Sequence, residues 1–284
     1  MLCGTVAGVA GRVLRRPVVV HLTGGDCAAL PDIGYGLCAT RRGRGSLRTA
    51  AALADHVTIP SEAMRRAAAA LGIHAERLTW GASPAEWPPL PPRRRGDGDE
   101  ARLLFVASLN AVKDPCTIVR AAAALRDRGL RFRLDVIGGD TMDGRVQRHA
   151  SALGLDAIVR FHGHLPQTEL RPWMERAHLL LVASRHEGDP IVVLEAAMTG
   201  VPTVGTAVGH LDEWAPDAAA VVPFADPDAL ADAAAALLAD EPRRLRMAAA
   251  AQRHALAWTA DRTAARLLEI YDSLVPTPGT DCPT

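Results

Sequence analysis

The chain has almost no lysine, and its opposite charges cancel. Lys113 is its only lysine, whereas lysine and arginine together number 32 and are matched by 32 aspartates and glutamates in 284 residues. The formal net charge of +0 at pH 7 removes the positive excess with which nucleic-acid-binding proteins neutralise phosphates. The composition therefore argues against DNA or RNA as a partner, and it leaves a lone lysine to be explained.

Paired cysteines and metal-binding patterns are also missing. The cysteines are odd in number and lack CxxC or Cys/His spacing, so neither a disulfide framework nor a zinc site is predicted. They are Cys3, Cys27, Cys38, Cys116 and Cys282. The histidines show no HxxxH or HExxH spacing, which disfavours metal-dependent hydrolysis. The Asp-x-Asp pairs at 97–99 and 226–228 are interpreted as a linker and a helix-starting turn, so no metal site is assigned.

Long hydrophobic runs and export signals are absent too. Residues 1–10 are mildly apolar but too short to span a bilayer, and Arg15 and Arg16 follow this stretch, whereas a signal peptide carries its charge first. GxSxG and P-loop sequences do not occur, which argues against an esterase or a kinase. We therefore expect a protein of the reducing cytoplasm.

What the chain does have is a repeated alternation of short apolar runs and helical segments. With 49% hydrophobic residues, it has enough apolar surface for about two domains of ~100–200 residues. Residues 18–22 and 56–60 are predicted to be buried strands. Ser61 is predicted to be the N-cap of a helix that stops at Gly72. The first part of the chain therefore repeats a strand–helix pattern.

A Pro- and Arg-rich segment at residues 84–100 lacks periodicity and is predicted to be a linker and domain boundary. From residue 102 onward, continuous apolar strands alternate with helices, which is typical of a parallel sheet covered on both faces. The predicted strands are 103–107, 133–137, 159–162, 179–183, 203–205 and 220–222. We therefore predict an α/β protein. Its expected parts are a partial N-terminal, acceptor-side domain with linker at 1–97, a complete Rossmann-like donor domain at 98–258, and a C-terminal helix and tail at 259–284.

The segment from Ser184 to Glu195 is the sharpest chemical motif. A predicted strand ends just before it, Pro190 opens a helix, and the first N–H groups of that helix are free to bind an anion such as a diphosphate. Glu187 in the loop and Glu195 one turn into the helix place two carboxylates around one helix start, where they can accept hydrogen bonds from sugar hydroxyls. The alternative for a single glutamate in such a loop is a solvated surface residue.

This segment resembles the Glu-x7-Glu signature of the retaining glycosyltransferases of family 4, whose architecture is the two-domain GT-B fold. The strand and loop that end at Lys113 and Asp114 are similar to those that carry the catalytic lysine of the family. Other similar segments cover about the whole chain: 136–140, 160–165, 195–202, 207–213 and the closing helix between Trp258 and Tyr271. The resemblance implies a GT-B-like fold with two Rossmann-like domains, the first of them partial.

The resemblance also implies a role for each matching residue. Lys113 would neutralise the charge that builds on the departing diphosphate, and Glu187 would hold a hydroxyl of the transferred sugar, so these two are the expected catalytic residues. Glu195 would hold the ribose, backbone near residue 165 the base, and amides 189–192 the sugar and diphosphate. The expected donor-binding residues are Ser108, Leu165, Gly188, Asp189, Pro190, Ile191, Val192 and Glu195. No metal or other cofactor is implied.

The chain departs from the family pattern at several places. Ser108 stands where the family often has arginine, which removes one of two cations on the diphosphate unless another arginine substitutes. The first-domain histidine of the family aligns with Thr23, and His21 either replaces it, from the same side of the strand, or is a core histidine. Gly24 and Gly25 follow it as possible acceptor-side residues. Fewer than 100 residues precede the linker, so we expect a truncated first domain or a true start upstream.

We predict sugar transfer, with retention of anomeric configuration, from a nucleotide-sugar donor to an unknown glycan, lipid or small-molecule acceptor. No nucleic-acid partner is expected, and contact with the inner membrane face is at most peripheral. Two alternatives stay open. One is a non-catalytic nucleotide-sugar-binding remnant or fragment, which the short front and Ser108 favour. The other is a nucleotide-sugar epimerase, because a fold does not fix a function.

Overall fold

The computed structural model describes residues 2–96 and 98–275. The predicted tail at 276–284, with Cys282, and residue Asp97 of the first Asp-x-Asp pair lie outside these residues. The first helices and strands are α1 (Leu2–Leu14), β1 (Val19–His21), α2 (Arg41–Leu53), β2 (His56–Ile59), α3 (Glu62–Ala69) and β3 (Glu76–Arg77). Single 3-10 turns at Gly24–Asp26, Pro31–Ile33 and Leu37–Ala39 lie between β1 and α2.

The following strands are β4 (Ala101–Val106), β5 (Phe132–Ile137), β6 (Val159–Phe161), β7 (Leu179–Val182), β8 (Thr203–Thr206) and β9 (Ala219–Val222). The helices of this part are α4 (Pro115–Asp127), α5 (Arg145–Ala152), α6 (Gln167–Arg176), α7 (Ile191–Met198), α8 (Leu211–Trp214), α9 (Pro227–Ala239), α10 (Glu241–Ala257) and α11 (Ala260–Leu274). The predicted strands from residue 102 onward agree with these bounds to within about two residues, and helices lie between them as predicted. The sequence did not predict α1, β3 or the short α8.

The described residues divide into two compact units, the first from residues 2–81 with 260–275 and the second between Ala82 and Thr259. In the first unit, β1, β2 and β3 form a parallel sheet. Its core contains Leu22, Leu47, Ile59 and Met64, each at most 2% exposed. Ser61 caps α3 by accepting the Met64 N–H at 3.5 Å, as its position before the helix predicts.

The division falls earlier than the predicted boundary at residue 97, because the Pro-rich segment packs on the second unit instead of hanging free. Trp87 is 2% exposed in the core of that unit. The Leu90 N–H donates to the Met198 carbonyl at 3.0 Å, and the Arg95 guanidinium donates to the Leu238 carbonyl at 2.7 Å. A segment without helical or strand periodicity is thus tied down by one large apolar side chain and specific hydrogen bonds.

Helix α11 groups with the first unit for similar reasons. The Arg266 guanidinium pairs with the Glu76 carboxylate at 2.6 Å, and the Thr263 hydroxyl donates to the Thr79 carbonyl at 2.5 Å. The predicted C-terminal helix therefore exists, but it completes the unit that contains the start of the chain.

The second unit is built on a parallel sheet in the order β6-β5-β4-β7-β8-β9. Apolar clusters cover both faces of this sheet, which explains why its strands are continuous apolar runs. Every residue of β7 is buried. At the end of β5, Gly138 has φ +152°, and a Cβ there would lie 1.8 Å from the Ala107 carbonyl oxygen, so glycine lets the ends of β4 and β5 approach closely.

Candidate functional site

The strand order of the second unit places a crevice between β4 and β7. The chain runs outward from β4 through β5 to β6, then returns to β7 and runs the other way through β8 to β9. In such sheets, ligands bind outside the carboxyl ends of the strands where the order reverses. A cavity of about 300 Å³ occupies this place. Its lining residues come from the ends of β4 and β7 and from the loops that follow: Phe105, Val106, Ala107, Ser108, Lys113, Leu181, Val182, Ser184, Glu187, Asp189, Pro190, Ile191 and Val192.

Lys113 is held in the loop between β4 and α4. The side-chain oxygen of Asn110 accepts the backbone N–H groups of Val112 and Lys113, each at 3.0 Å. Asp114 caps α4, since its carboxylate accepts the Thr117 N–H at 3.2 Å and the Thr117 hydroxyl at 2.6 Å. Bonds from side chain to backbone thus fix the loop on both sides of the lysine.

Glu187 meets Lys113 at the cavity wall. The distance between Lys113 Nζ and Glu187 Oε1 is 2.5 Å, and the same oxygen accepts the Ser184 hydroxyl at 2.6 Å. The Arg185 N–H also donates to the Val112 carbonyl at 2.7 Å, so the two loops are joined by their backbones. The two predicted catalytic residues, 74 positions apart in sequence, therefore form one ion pair.

The amino end of α7 faces the same cavity. Pro190 is the N-cap, and Ile191 and Val192 begin the helix and line the cavity. The first N–H groups of a helix have no partner within it and carry partial positive charge, which suits an anion. Next to this helix start, the Asp189 carboxylate oxygen Oδ1 lies within hydrogen-bonding distance, 3.0 Å, of His210 Nδ1. The side chains of Asp189 and His210 are 3% and 0% exposed.

Glu195 lies apart from this cavity, inside α7. Glu195 is 5% exposed, and its Oε1 accepts a hydrogen bond from the Gln167 side-chain N–H at 2.7 Å. Burial raises the pKa of the Glu195 carboxyl, the Gln167 hydrogen bond opposes this, and the negative charge of Glu86 raises the pKa further. Gln167 lines a second cavity of about 280 Å³, whose other lining residues are Glu86, Trp87, Thr168 and Arg171. The two glutamates of the motif are therefore associated with different pockets.

Three other predicted donor residues have different surroundings. Ser108 lines the first cavity, where Lys113 is the sole cation among the described lining residues. Gly188 is buried in the loop before α7. Leu165 is partly buried and packs against the apolar cluster beneath α6 and α7.

The predicted acceptor-side residues belong to the first unit. His21 Nδ1 lies 2.7 Å from the Thr58 hydroxyl oxygen, and its ring meets Trp80 edge-on with centroids 4.7 Å apart. Gly24 and Gly25 form a 3-10 turn, and a Cβ on Gly25 would lie 3.0 Å from the Tyr35 ring. His21 is thus hydrogen-bonded to Thr58 and packed on Trp80 within the first unit, and the Tyr35 ring requires a small residue at position 25.

The Asp-x-Asp residues within the described part of the chain have structural partners. Asp226 caps α9 by accepting the Ala229 N–H at 2.9 Å, and Asp228 pairs with Arg128 at 3.4 Å. Asp99 accepts the Gly96 N–H at 3.0 Å. Over residues 2–96 and 98–275, no group of three or more His, Cys, Asp or Glu side chains is placed to hold a metal ion. None of the helices described there is long and apolar enough to cross a membrane.

Sequence reasoning missed three contributors to these sites. Ser184, directly after β7, bonds Glu187, and its position between a strand end and a glutamate could have indicated this role. Gln167 opens α6 and bonds Glu195, which the sequence could have suggested only through the nearby segment that resembles the family. His210 gave no signal, because its partner Asp189 is 21 positions away on a different loop.

Comparisons with known proteins match this chain to glycosyltransferases. The family model described as "Glycosyl transferases group 1" matches residues 91–254. A D-inositol 3-phosphate glycosyltransferase of Thermomonospora curvata is 38% identical over 200 residues, which cover 62% of this chain and 46% of the relative. The enzyme of that name from Corynebacterium urealyticum is 33% identical over 183 residues, covering 61% and 43%. The chain thus spans less than half the length of these curated relatives.

Solved structures match over nearly the whole chain. Anabaena HepE, solved with UDP and glucose, has a TM-score of 0.79 at 18% identity, with 95% of this chain and 76% of that chain covered. A sucrose-phosphate synthase of Thermosynechococcus elongatus has a TM-score of 0.79 at 20% identity, with coverage of 95% and 72%. These matches confirm the predicted α/β, GT-B-like fold.

Proposed function

Because this chain belongs to the group 1 glycosyl transferases, whose model matches more than half of its length, we propose that it transfers a sugar from a nucleotide-sugar donor. We further propose that the anomeric configuration is retained, as in the family 4 enzymes that its Glu-x7-Glu motif resembles. The observation that carries the proposal is the cavity at the strand reversal, where the Lys113–Glu187 pair faces the amino end of α7.

The donor diphosphate would lie at the amino end of α7. The free N–H groups there and the Lys113 ammonium supply positive charge where negative charge grows as the bond to the sugar breaks. Glu187 would accept a hydrogen bond from a hydroxyl of the transferred sugar. Its second oxygen, Oε2, is the better candidate, since Oε1 already accepts from Lys113 and Ser184.

The nucleoside would extend toward Glu195 and Gln167. Their side chains form one hydrogen-bonded unit, and Gln167 lines the neighbouring cavity. A ribose diol is a suitable ligand for this unit, because a carboxylate that accepts two hydroxyl donors recovers much of the free energy lost on burial. In this arrangement, the two cavities hold the two ends of one donor.

In the proposed reaction, Lys113 and the amino end of α7 neutralise the charge on the diphosphate, and no metal or other cofactor takes part. Retention would follow from attack on the same face that the diphosphate leaves, without the paired carboxylates of glycosidases. We propose that the protein acts in the cytoplasm, with at most peripheral contact with the inner membrane face. We propose that His21, Gly24 and Gly25 lie on the acceptor side.

A non-catalytic nucleotide-sugar-binding function is the second candidate. Ser108 favours it, because the cavity then offers a single cationic side chain among its described lining residues. An epimerase is the third candidate from the sequence.

One experiment separates these functions. The chain is incubated with UDP-glucose labelled in the sugar, in parallel with GDP- and ADP-sugars, and with D-inositol 3-phosphate as the first acceptor, since its curated relatives carry that name. Labelled sugar on the acceptor, with its anomeric configuration read by NMR, supports transfer. Binding without turnover supports the binding module, and a changed free donor sugar supports the epimerase. The Lys113→Ala variant, prepared in the same way, is the control for turnover that does not come from this site.

A further inference from the structure

A buried carboxylate–imidazole pair lies directly behind the loop that carries Glu187. His210 Nδ1 and Asp189 Oδ1 are 3.0 Å apart, and their side chains are 0% and 3% exposed. Asp189 lies only two positions after Glu187. The His210–Asp189 contact therefore fixes the same short loop that carries the Lys113–Glu187 contact. Burying a carboxylate and an imidazole this deeply costs desolvation free energy, which only a well-formed contact between them can offset.

His210 is fixed in place by aromatic rings. Its ring centroid lies 4.6 Å from that of Trp214 and 5.8 Å from that of Trp258, and Trp214 stacks on His254 at 5.3 Å. His210 Nε2 is buried without a hydrogen-bond partner among the described residues. Asp189 is therefore the polar contact that this ring makes, and the rings prevent it from turning away.

The backbone around His210 is also shaped to fit the loop. Gly209 has φ +55°, and a Cβ there would lie 2.6 Å from Pro190 Cδ and 3.4 Å from Glu187 Cβ. Only glycine allows this approach with that backbone conformation. The loop between β8 and α8 is thus pressed against the loop between β7 and α7 over the stretch from Glu187 to Pro190.

We propose that His210 is a positioning residue for the cavity, which it serves through Asp189; as far as donor binding is concerned, this inference rests on the proposed function. His210 holds the Asp189 carboxylate away from the amino end of α7, where a free negative charge would repel a diphosphate. By the same contact, it keeps Glu187 in register with Lys113. His210 itself does not line the cavity.

The lone lysine makes a test possible without donor or turnover. An amine acylating reagent can modify Lys113 and the chain's α-amino group, since the sequence has no other lysine. The Lys113 nitrogen must leave Glu187 before it reacts, so its acylation rate relative to the α-amino group, followed by mass spectrometry, reports how firmly the pair is held.

The variants are His210→Asn and Asp189→Asn, and the matched control is His178→Asn. His178 is 3% exposed and its Nδ1 accepts the Arg102 N–H at 2.9 Å, but it precedes β7, at the end of the sheet opposite the cavity. The melting temperature of each variant shows whether it folds. Asp189→Asn keeps size and shape, so it serves as the test if His210→Asn does not fold.

We expect Lys113 to be acylated at least threefold faster in both site variants and at the wild-type rate in His178→Asn. The Kd for UDP should rise by about tenfold in His210→Asn only, because Asp189→Asn removes the negative charge that would repel the diphosphate. In both site variants kcat should fall, because Glu187 no longer holds Lys113, and it should stay unchanged in His178→Asn. A wild-type acylation rate in a folded Asp189→Asn or His210→Asn variant overturns the positioning role. If wild-type protein binds none of UDP, GDP or ADP, the proposed function fails, while the acylation rates still decide the role of His210.

Discussion

The two glutamates of the Glu-x7-Glu motif have the same side chain and opposite surroundings. Glu187 lies at a cavity wall, where a lysine and a serine donate to one of its oxygens. Glu195 lies inside α7, 5% exposed, with the neutral amide of Gln167 as its hydrogen-bond donor. The negative charge of Glu187 is thus balanced by the full positive charge of Lys113, whereas that of Glu195 is offset only by the dipole of the Gln167 amide.

The difference shows how one motif can serve two tasks. A charge-balanced carboxylate beside a cation is suited to the reacting end of a donor, where charge is redistributed. A buried carboxylate with a raised pKa is held in an unfavourable state that a ligand with two hydroxyl donors can relieve. We therefore expect substitutions at Glu187 and its partners to change turnover, and substitutions at Glu195 to change affinity.

The largest effect is expected when the cationic partner of Glu187 is removed. Lys113→Ala should lower kcat by about 10²–10³-fold, the scale of losing one transition-state donor, with a much smaller change in donor Kd. Initial rates at saturating donor and calorimetric titration measure the two quantities. Equal losses in kcat and affinity would mean that Lys113 serves ground-state binding.

Lys113→Arg sharpens the same comparison. Arginine keeps the charge but presents a wide planar fork where Glu187 Oε1 receives a compact ammonium at 2.5 Å, so we expect most of the activity to be lost. An Arg variant with full activity would show that any cation suffices in this Arg-rich chain.

A smaller effect, on affinity, is expected at the buried glutamate. Glu195→Ala should weaken nucleotide-sugar binding by about 1.5–3 kcal/mol, roughly 10–100-fold, because a charged acceptor for the ribose is lost. Calorimetry with UDP-, GDP- and ADP-sugars measures it. If one donor binds and the variant binds it equally well, Glu195 does not hold the ribose.

Glu195→Gln should separate binding from stability. The raised pKa means that the ionised carboxylate destabilises the fold at pH values above its unfolded-state pKa, so the neutral variant should be more stable at pH 7.5. The gain should shrink as the pH falls toward the unfolded-state value, because the folded wild type then takes up a proton. Urea unfolding at pH 7.5 and pH 4 measures both. Glu187→Gln, which loses an ion pair, should be less stable than wild type at pH 7.5.

The smallest effect is expected from a chelator. EDTA should leave donor binding unchanged at both ends of the site, since the helix N-terminus and Lys113 meet the diphosphate charge. Loss of binding in EDTA, restored by Mg²⁺ or Mn²⁺, would contradict the metal-free proposal and return attention to Asp226 and Asp228.

The sequence predicted most elements of the second unit, because short apolar runs that alternate regularly with helical segments are typical of buried parallel strands. The sequence predicted the Pro-rich segment to be a linker, whereas the segment packs on the second unit through Trp87 and through hydrogen bonds to distant residues such as Met198. Sequence reasoning also missed α1, whose alternating glycines and valines disguise a helix. Local patterns carry no information on such long-range contacts.

The sequence by itself determined the α/β class and the helix start at Pro190, because both depend on patterns among neighbours within a few positions. Only the tertiary structure decided that Lys113 pairs with Glu187, that Glu195 is buried against Gln167, which lines another cavity, and that His210 contacts Asp189. Each of these contacts joins loops that are adjacent only once the parallel strands lie in the order that brings β4 beside β7, and that order is set by packing over the whole unit.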